Sequence, residues 1–335
     1  MNFTKLNIPP ELIAKEPLKE RDLCKLLCLY KGSGKIEHRV FRDVTALIGA
    51  KDLLVFNDTR VINARFFGNK HSGGNVELLL LKELNAKTWQ VLIKGKNIRQ
   101  GTQISFDDFS IEVLSAEQGL YTIKIFSDAD IKELMSKKGI IPLPPYIDRK
   151  PEENDYEMYQ TVFAKNNGSV AAPTASLHFT NALIDQIRFK GADIQFVTLH
   201  VGYGTFSPIR DITTFVIHEE DYSVQWSLQE AVRSCKKRNG KVWAVGTTVV
   251  RTLETVFNKE LELLNRAGST SLFIKDPYDF KVVDCMITNF HHPSTSLMYL
   301  VSAFAGSNNI VTAYNEAVNE RYRMLSYGDA MAIMC

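Results

Sequence analysis

What this chain lacks narrows the field before anything it contains. Only five cysteines occur in 335 residues, and an odd number scattered over Cys24, Cys28, Cys235, Cys285 and Cys335 does not make a disulfide framework. Buried or free thiols in a reducing compartment are expected instead. Cys24 and Cys28 form a lone C-x3-C with no second pair, which reads better as two core-facing positions one helical turn apart than as a zinc site. No run of about 18 apolar residues occurs, and residues 1–12 lack a basic stretch followed by an apolar core. The expectation is a cytoplasmic protein that meets no membrane. An excess of one charge is missing too: 40 Lys+Arg against 38 Asp+Glu leave +2. That total neither supports nor excludes a nucleic-acid partner, because phosphate contacts depend on where basic residues cluster. No internal repeat or low-complexity tract is evident.

What is present is the balance of a folded protein, 45% hydrophobic and 23% charged, long enough for one large domain or two ordinary ones. Residues 52–56 (DLLVF) form a short apolar run closed by the polar NDTR of 57–60, as expected of a buried strand ending in a loop. From 61 to 126 the texture changes to short strands between glycines, at 75–82, 88–94, 101–106, 110–114 and 120–126, which suggests a small antiparallel barrel or sandwich. A helix over 130–138 stops at Gly139. The stretch 141–149 (IPLPPYIDR) then sets three prolines in four positions, which can continue neither a helix nor a central strand and reads as a stiff extended connector. The predicted organisation is a layered α/β domain from residues 1–60 and 150–335, carrying an inserted small antiparallel β-barrel domain over 61–149 with this Pro-rich return.

Beyond residue 150 helices and strands alternate. Thr180 caps a predicted helix to Lys190 that ends at Gly191, and a buried strand follows over 194–201. Ser227 with Glu230 reads as a capping box opening a helix that ends at Asn239-Gly240. A strand over 241–245, a turn at 246–248 and a helix over 250–258 come next. Strands at 272–275 and 281–288 and helices near 297–304 and 310–321 complete the chain. Such alternation implies a sheet covered on both faces, with functional loops at strand ends.

Four segments at strand ends gather polar residues. The run 169–180 (SVAAPTASLHFT) is small enough for a ligand to approach the backbone at Thr174 and puts His178 before a helix. An ordinary loop explains it as well. The segment 197–206 (VTLHVGYGTF) delivers Thr198 and His200 on one strand face and turns through two glycines, without the full dinucleotide fingerprint. A structural histidine is the plainer reading. Gly246, Thr247 and Thr248 stand between strand and helix, where free backbone N–H groups favour an anion, and Arg251 nearby adds charge. Near the C-terminus Thr288, Asn289, His291 and His292 collect at a strand end. Adjacent histidines point apart on a strand, so no metal is assigned. Lys94, Lys96 and Arg99, and separately Lys236, Lys237 and Arg238, are local basic clusters able to contact phosphates, with solvated surface as the alternative.

Taken in order, these stretches resemble the S-adenosylmethionine:tRNA ribosyltransferase-isomerases of queuosine biosynthesis, over essentially the whole chain. The matching stretches include LLVFNDTR (53–60), PLPPYIDR (142–149), YQTVF (159–163), VAAPTA (170–175), LHFT (177–180), FVTLHVG (196–202), GTF (204–206), VGTT (245–248), KVVD (281–284), TNFH (288–291), LVSAFAG (300–306) and SYGDAM (326–331). The resemblance implies an α/β domain bearing a smaller β-barrel. It implies two substrates, S-adenosylmethionine, consumed rather than kept as a cofactor, and tRNA carrying 7-aminomethyl-7-deazaguanine. A proton leaves the carbon beside the sulfonium, the carbanion attacks the base, and adenine and methionine depart as an epoxycyclopentane forms. The predicted catalytic centre is His178, Thr198, His200, Asn289 and His291, with a histidine as proton acceptor. Asp58, Arg60, Thr174, Gly246, Thr247, Thr248 and Arg251 are the predicted substrate ligands. A monomer is the expectation. The chain also departs from the family: residues 218–223 read HEEDYS where the family carries a second histidine and a glutamate, Val249 stands for a serine, and HPSTS fills 292–296. A divergent relative that binds tRNA or S-adenosylmethionine with reduced or no turnover is the alternative.

Overall fold

Alternation along the first apolar run decides the architecture. In β3 (Leu53–Asn57) Leu53 and Val55 enter one apolar cluster while Leu54 and Phe56 enter another, so the strand is buried on both faces. The computed structural model describes residues 3, 6–117, 119–202, 204, 209, 211–212, 215 and 217–335. Within them β3 lies centrally in a nine-stranded sheet. Its other members are β1 (Lys25–Tyr30), β2 (Lys35–Val40), β12 (Asp193–Leu199), β13 (Glu220–Val224), β14 (Val242–Val245), β15 (Ala267–Thr270), β16 (Cys285–Asn289) and β17 (Ala330–Met334), in the order β15-β13-β12-β3-β14-β16-β17-β1-β2. The middle strands β12, β3, β14 and β16 run parallel, and β13 and β17 flank them antiparallel.

Helices cover both faces. On one side α5 (Ser227–Lys237), α6 (Thr247–Val256), α7 (Ser296–Ala305) and α8 (Ser307–Asn319) pack their apolar faces, and on the other α1 (Val44–Leu47) and α4 (Asn181–Phe189). The strand–helix alternation is as expected, and so is the Thr180 cap, whose hydroxyl accepts from Leu183 N–H. The Ser227 box is not present: Trp226 occupies the cap position, and the Ser227 hydroxyl donates to Gln195 Oε1 at 3.4 Å. The predicted strand at 272–275 is absent, and the one predicted over 281–288 begins only at Cys285. The buried Glu254 carboxylate takes the N–H groups of Lys281, Val282 and Val283 at 2.8–3.2 Å, so a side chain supplies the acceptors a neighbouring strand would have given. Cys24 and Cys28 face the core, but on and beside strand β1 rather than a helix. All five cysteines are free.

The second body of structure is a closed antiparallel barrel, β10-β7-β6-β5-β8-β9, built from β5 (Arg65–Lys70), β6 (Asn75–Asn85), β7 (Thr88–Lys94), β8 (Gln103–Ser105), β9 (Ser110–Glu117) and β10 (Leu120–Phe126). Every second residue of β7 points inward, Trp89, Val91 and Ile93, and the interior is filled by side chains. Helix α2 (Ile131–Lys138), capped by the Asp130 side chain, which accepts Lys132 N–H, seals the barrel with Ile131, Leu134 and Met135. The Pro-rich return is extended apart from one 3-10 turn at Pro145–Ile147, and it buries Ile141, Leu143 and Ile147 against Tyr159 and Tyr327. A short helix, α3 (Asp155–Met158), follows it. A small ladder of β4 (Thr59–Val61) with β11 (Asn166–Ser169) stands where the chain leaves the sheet for the barrel. No helix among the described residues is long and apolar enough to cross a membrane.

Candidate active site

The ends of the parallel strands β3, β12, β14 and β16 converge, and one buried side chain ties three elements there. Asn57, fully buried at the end of β3, donates to Leu199 O at 2.9 Å and to Thr248 Oγ1 at 3.4 Å, and its Oδ1 accepts from the N–H of Leu199 and of Thr59 at 3.1 Å. Strand β12 and helix α6 are thereby held to the same point. Gly246, at φ +100°, lets the chain turn from β14 directly into α6, and no side chain caps that helix. Its N-terminal peptide groups and dipole face outward.

They face a cavity of about 240 Å³ lined by Thr174, Gly246, Thr247, Thr248, Thr288, Asn289 and His291, together with Tyr146, Val201, Leu325 and Ser326. Six of the predicted site residues therefore meet in one place: Thr174, Gly246, Thr247, Thr248, Asn289 and His291. His291 is fixed by Thr288, whose Oγ1 lies 2.8 Å from Nε2, and its N–H donates to Tyr314 Oη at 2.6 Å. Burial pushes its pKa down to about 3. His178 stands behind this wall, in a small crevice with Cys24 and Tyr327. Its Nδ1 is 3.2 Å from Cys24 Sγ and its Nε2 is 3.1 Å from Asn289 Nδ2. Burial, then the charges of Arg21 and Arg323, lower its pKa to about 3 as well. Both imidazoles are neutral at physiological pH.

A second opening, about 1100 Å³, lies between the barrel and the edge of the sheet. Barrel residues Lys82, Trp89 and Gln90 form one wall, and His200, His218, Glu219, Glu220 and Asp221 form the other, with Arg60 and Lys132 at its sides. A Lys82–Asp221 ion pair of 2.7 Å joins the walls. His200 packs flat on Gly168: at φ +148° that residue has no Cβ, and one built there would sit 2.7 Å from the ring. Thr59 Oγ1 is 2.8 Å from His200 Nδ1, and the His200 residue lines the opening. Partial burial lowers the His200 pKa, against the raising influence of Asp221 and Asp58.

The remaining predicted residues sit behind these walls. Thr198 Oγ1 donates to Asp58 Oδ1 at 2.6 Å, and Asn166 donates to both, so Thr198 and Asp58 form a buttress beside His200 and line neither cavity. Arg251 does not reach an opening. It is buried and ion-paired with Glu220, whose other oxygen accepts Gly202 N–H at 2.8 Å. Val249 is fully buried in the apolar core, away from the cavity, so the missing hydroxyl at that position removes nothing from its wall. The altered stretch 218–221 does line the large opening, and it supplies an imidazole and three carboxylates there. Sequence reasoning passed over His218, Glu220, Trp89 and Lys82 as site residues. Only the local density of acids at 219–221 hinted at the first two. Tyr203, Thr205 and Phe206 of the glycine turn lie outside the described residues.

A small cavity and a larger charged cleft thus adjoin at the carboxyl ends of a parallel sheet, beside buried histidines and an uncapped helix start, with room for a small ligand next to a larger one. Residues 2–333 match the family described as queuosine biosynthesis protein. The chain is 45% identical to the S-adenosylmethionine:tRNA ribosyltransferase-isomerase of Clostridioides difficile (strain 630) and 46% identical to that of Sulfurihydrogenibium sp. (strain YO3AOP1), over 98% of each chain. It also matches the crystal structure of S-adenosylmethionine tRNA ribosyltransferase from Thermotoga maritima, at 35% identity and TM-score 0.58, over 98% of both chains. This chain belongs to the queuosine-biosynthesis family of enzymes.

Proposed function

We propose that this chain performs the reaction its relatives are named for, transferring and isomerising the ribosyl part of S-adenosylmethionine onto 7-aminomethyl-7-deazaguanine in tRNA. The observation that carries the reading is the junction of the two cavities: Val201 lines both, and His200 beside it opens on the larger. S-adenosylmethionine lodges in the small cavity, its carboxylate at the start of α6, and the tRNA base enters the cleft from the barrel side. The carbon next to the sulfonium then lies at the junction, within reach of His200.

His200 takes the proton from that carbon. If Nδ1–H donates to Thr59 Oγ1, and Thr59 in turn donates to Asn166 O at 3.5 Å, Nε2 is left with its lone pair. The carbanion, stabilised by the adjacent sulfonium, attacks the base, and adenine and methionine leave. S-adenosylmethionine is consumed, and the chemistry calls for no resident cofactor. The same reading places the protein in the cytoplasm, with tRNA as its macromolecular partner and a single copy of the chain as the working unit.

The test is adenine release from S-adenosylmethionine in the presence of tRNA bearing the precursor base. Release that requires this tRNA is the expected result. Binding of both substrates without adenine release would instead establish a divergent relative that has lost turnover.

A further inference from the structure

We propose that Asn289 Oδ1 reads an N–H group of the substrate in the small cavity, and that His178 is the positioning residue that aims it. This rests on the reading that S-adenosylmethionine occupies that cavity. Asn289 ends β16, is 2% exposed and lines the cavity. Its amide nitrogen has two hydrogens and two partners, His178 Nε2 at 3.1 Å and Leu325 O at 3.3 Å. The Leu325 carbonyl fixes which way the amide lies, because turning it over would set oxygen against oxygen. His178 Nε2 then accepts, which puts the single proton of this neutral imidazole on Nδ1, facing Cys24 Sγ at 3.2 Å. Cys24 and Asn289 thus hold the ring from both sides.

One atom in this hydrogen-bonded chain is left over. Asn289 Oδ1 is buried and has no hydrogen-bond partner among the described residues. Buried carbonyl oxygens in folded proteins are nearly always satisfied, so an unpaired acceptor fixed by two dedicated neighbours, on a side chain that lines the cavity, is the group a ligand donor would satisfy. His178 does no proton transfer in this arrangement: both its nitrogens are occupied and it lines the crevice behind the wall. S-adenosylmethionine offers two N–H donors, the 6-amino group of adenine and the α-ammonium of its methionine part. An acceptor with no donor of its own to spare discriminates against a ligand that presents oxygen, or nothing, at that point.

The experiment titrates three probes into the full-length protein by calorimetry: S-adenosylhomocysteine, its 6-oxo analogue S-inosylhomocysteine, and the adenosyl thioether lacking the α-amino group. One altered probe should bind roughly 10- to 100-fold more weakly than S-adenosylhomocysteine, and which one identifies the donor. In Asn289→Ala the penalty should fall to within about threefold, while the other altered probe keeps its wild-type ratio. His178→Leu leaves the amide in place but frees it to rotate, and should shrink the same penalty. Equal binding of all three probes to the wild type overturns the proposal and leaves the cavity reading intact. So does a penalty undiminished in both variants. If Asn289→Ala does not fold, the wild-type ratios and His178→Leu decide. No binding of S-adenosylhomocysteine at all would reject the cavity reading itself, and the proposal with it.

Discussion

The two cavities meet at one residue yet are built on opposite terms. The small one is walled by apolar side chains, hydroxyls, one amide and imidazoles, with no carboxylate, lysine or arginine, and its position depends on the ends of four parallel strands. The large one is walled by charged side chains from two separate pieces of structure, the barrel and β13. A rigid sheet edge can hold a small ligand to within fractions of an ångström. A cleft between two bodies of structure can admit a large one. The contrast teaches that the histidines are not equivalent. His178 and His291 are buried, with pKa values pushed down to about 3, one behind the small cavity and one on its wall, and His200 alone of the three opens on the cleft.

Replacing His200 with alanine is the sharpest way to break that contrast. Turnover should fall by about 10² to 10⁴ with S-adenosylmethionine binding largely unchanged, the scale a positioned general base contributes. The pH profile carries an independent sign. The working form is the neutral ring, and burial holds its pKa below the ordinary 6.5, so the wild-type rate should be flat through neutrality and drop only at more acid pH as Nε2 is protonated. That acid limb should vanish in His200→Ala. An unchanged rate and limb would move the base to His218 or to a carboxylate of 219–221.

Breaking the tie between the cavities comes next in size. Arg251, one turn into the helix that floors the small cavity, is ion-paired with Glu220, which walls the large one. Removing one partner of a buried pair typically costs about 3 to 5 kcal/mol, since the other charge is left without its counterpart. Arg251→Met should therefore lower the urea midpoint substantially, and the double variant Arg251→Met/Glu220→Gln should recover part of the loss. A cost below about 1 kcal/mol for the single variant would mean that the two cavities are not joined through this pair.

How much of this was legible in the sequence follows the same division. The parallel strands and their helices were readable, because apolar alternation and caps such as Thr180 are local signals, and so was the barrel's run of short strands between glycines. The strands β1 and β17 were not. Their apolar runs pair in parallel across some three hundred residues, Leu26 with Ala330 and Leu27 with Met331, and nothing local announces a partner so far away. The gathering of Thr174, Gly246 to Thr248, Asn289 and His291 in one cavity followed from the rule that such folds build sites at strand ends. The separation of His200 from His178 and His291 did not, since it depends on which wall each ring stands in. Arg251 misled for a related reason: a cation beside a helix start suggests an anion site, and its buried carboxylate partner lies thirty-one residues earlier in the chain.

The smallest expected effect concerns how tRNA reaches the cleft, and it sets the barrel against the sheet once more. The two basic clusters look alike in sequence and differ in structure. Lys236 is bound to Asp284 at 2.6 Å, and Arg238 Nε donates to Lys51 O at 2.9 Å, which leaves Lys237 as the exposed member of its cluster. Lys94, Lys96 and Arg99 are all exposed, and among the described residues none of their side chains forms an ion pair. Charges already matched within the protein release fewer counterions on meeting a phosphate. Neutralising the barrel cluster should therefore flatten the dependence of tRNA affinity on salt by roughly one unit of log–log slope for each phosphate no longer gripped, and neutralising Lys236, Lys237 and Arg238 should change it less. Adenine release at saturating tRNA should be spared in both triple variants, because neither cluster touches the reacting groups. If the helix cluster proves the stronger, tRNA crosses the sheet rather than the barrel. If neither variant moves the slope, the backbone is gripped elsewhere, and Lys82 and Lys132 at the sides of the cleft are the next charges to remove.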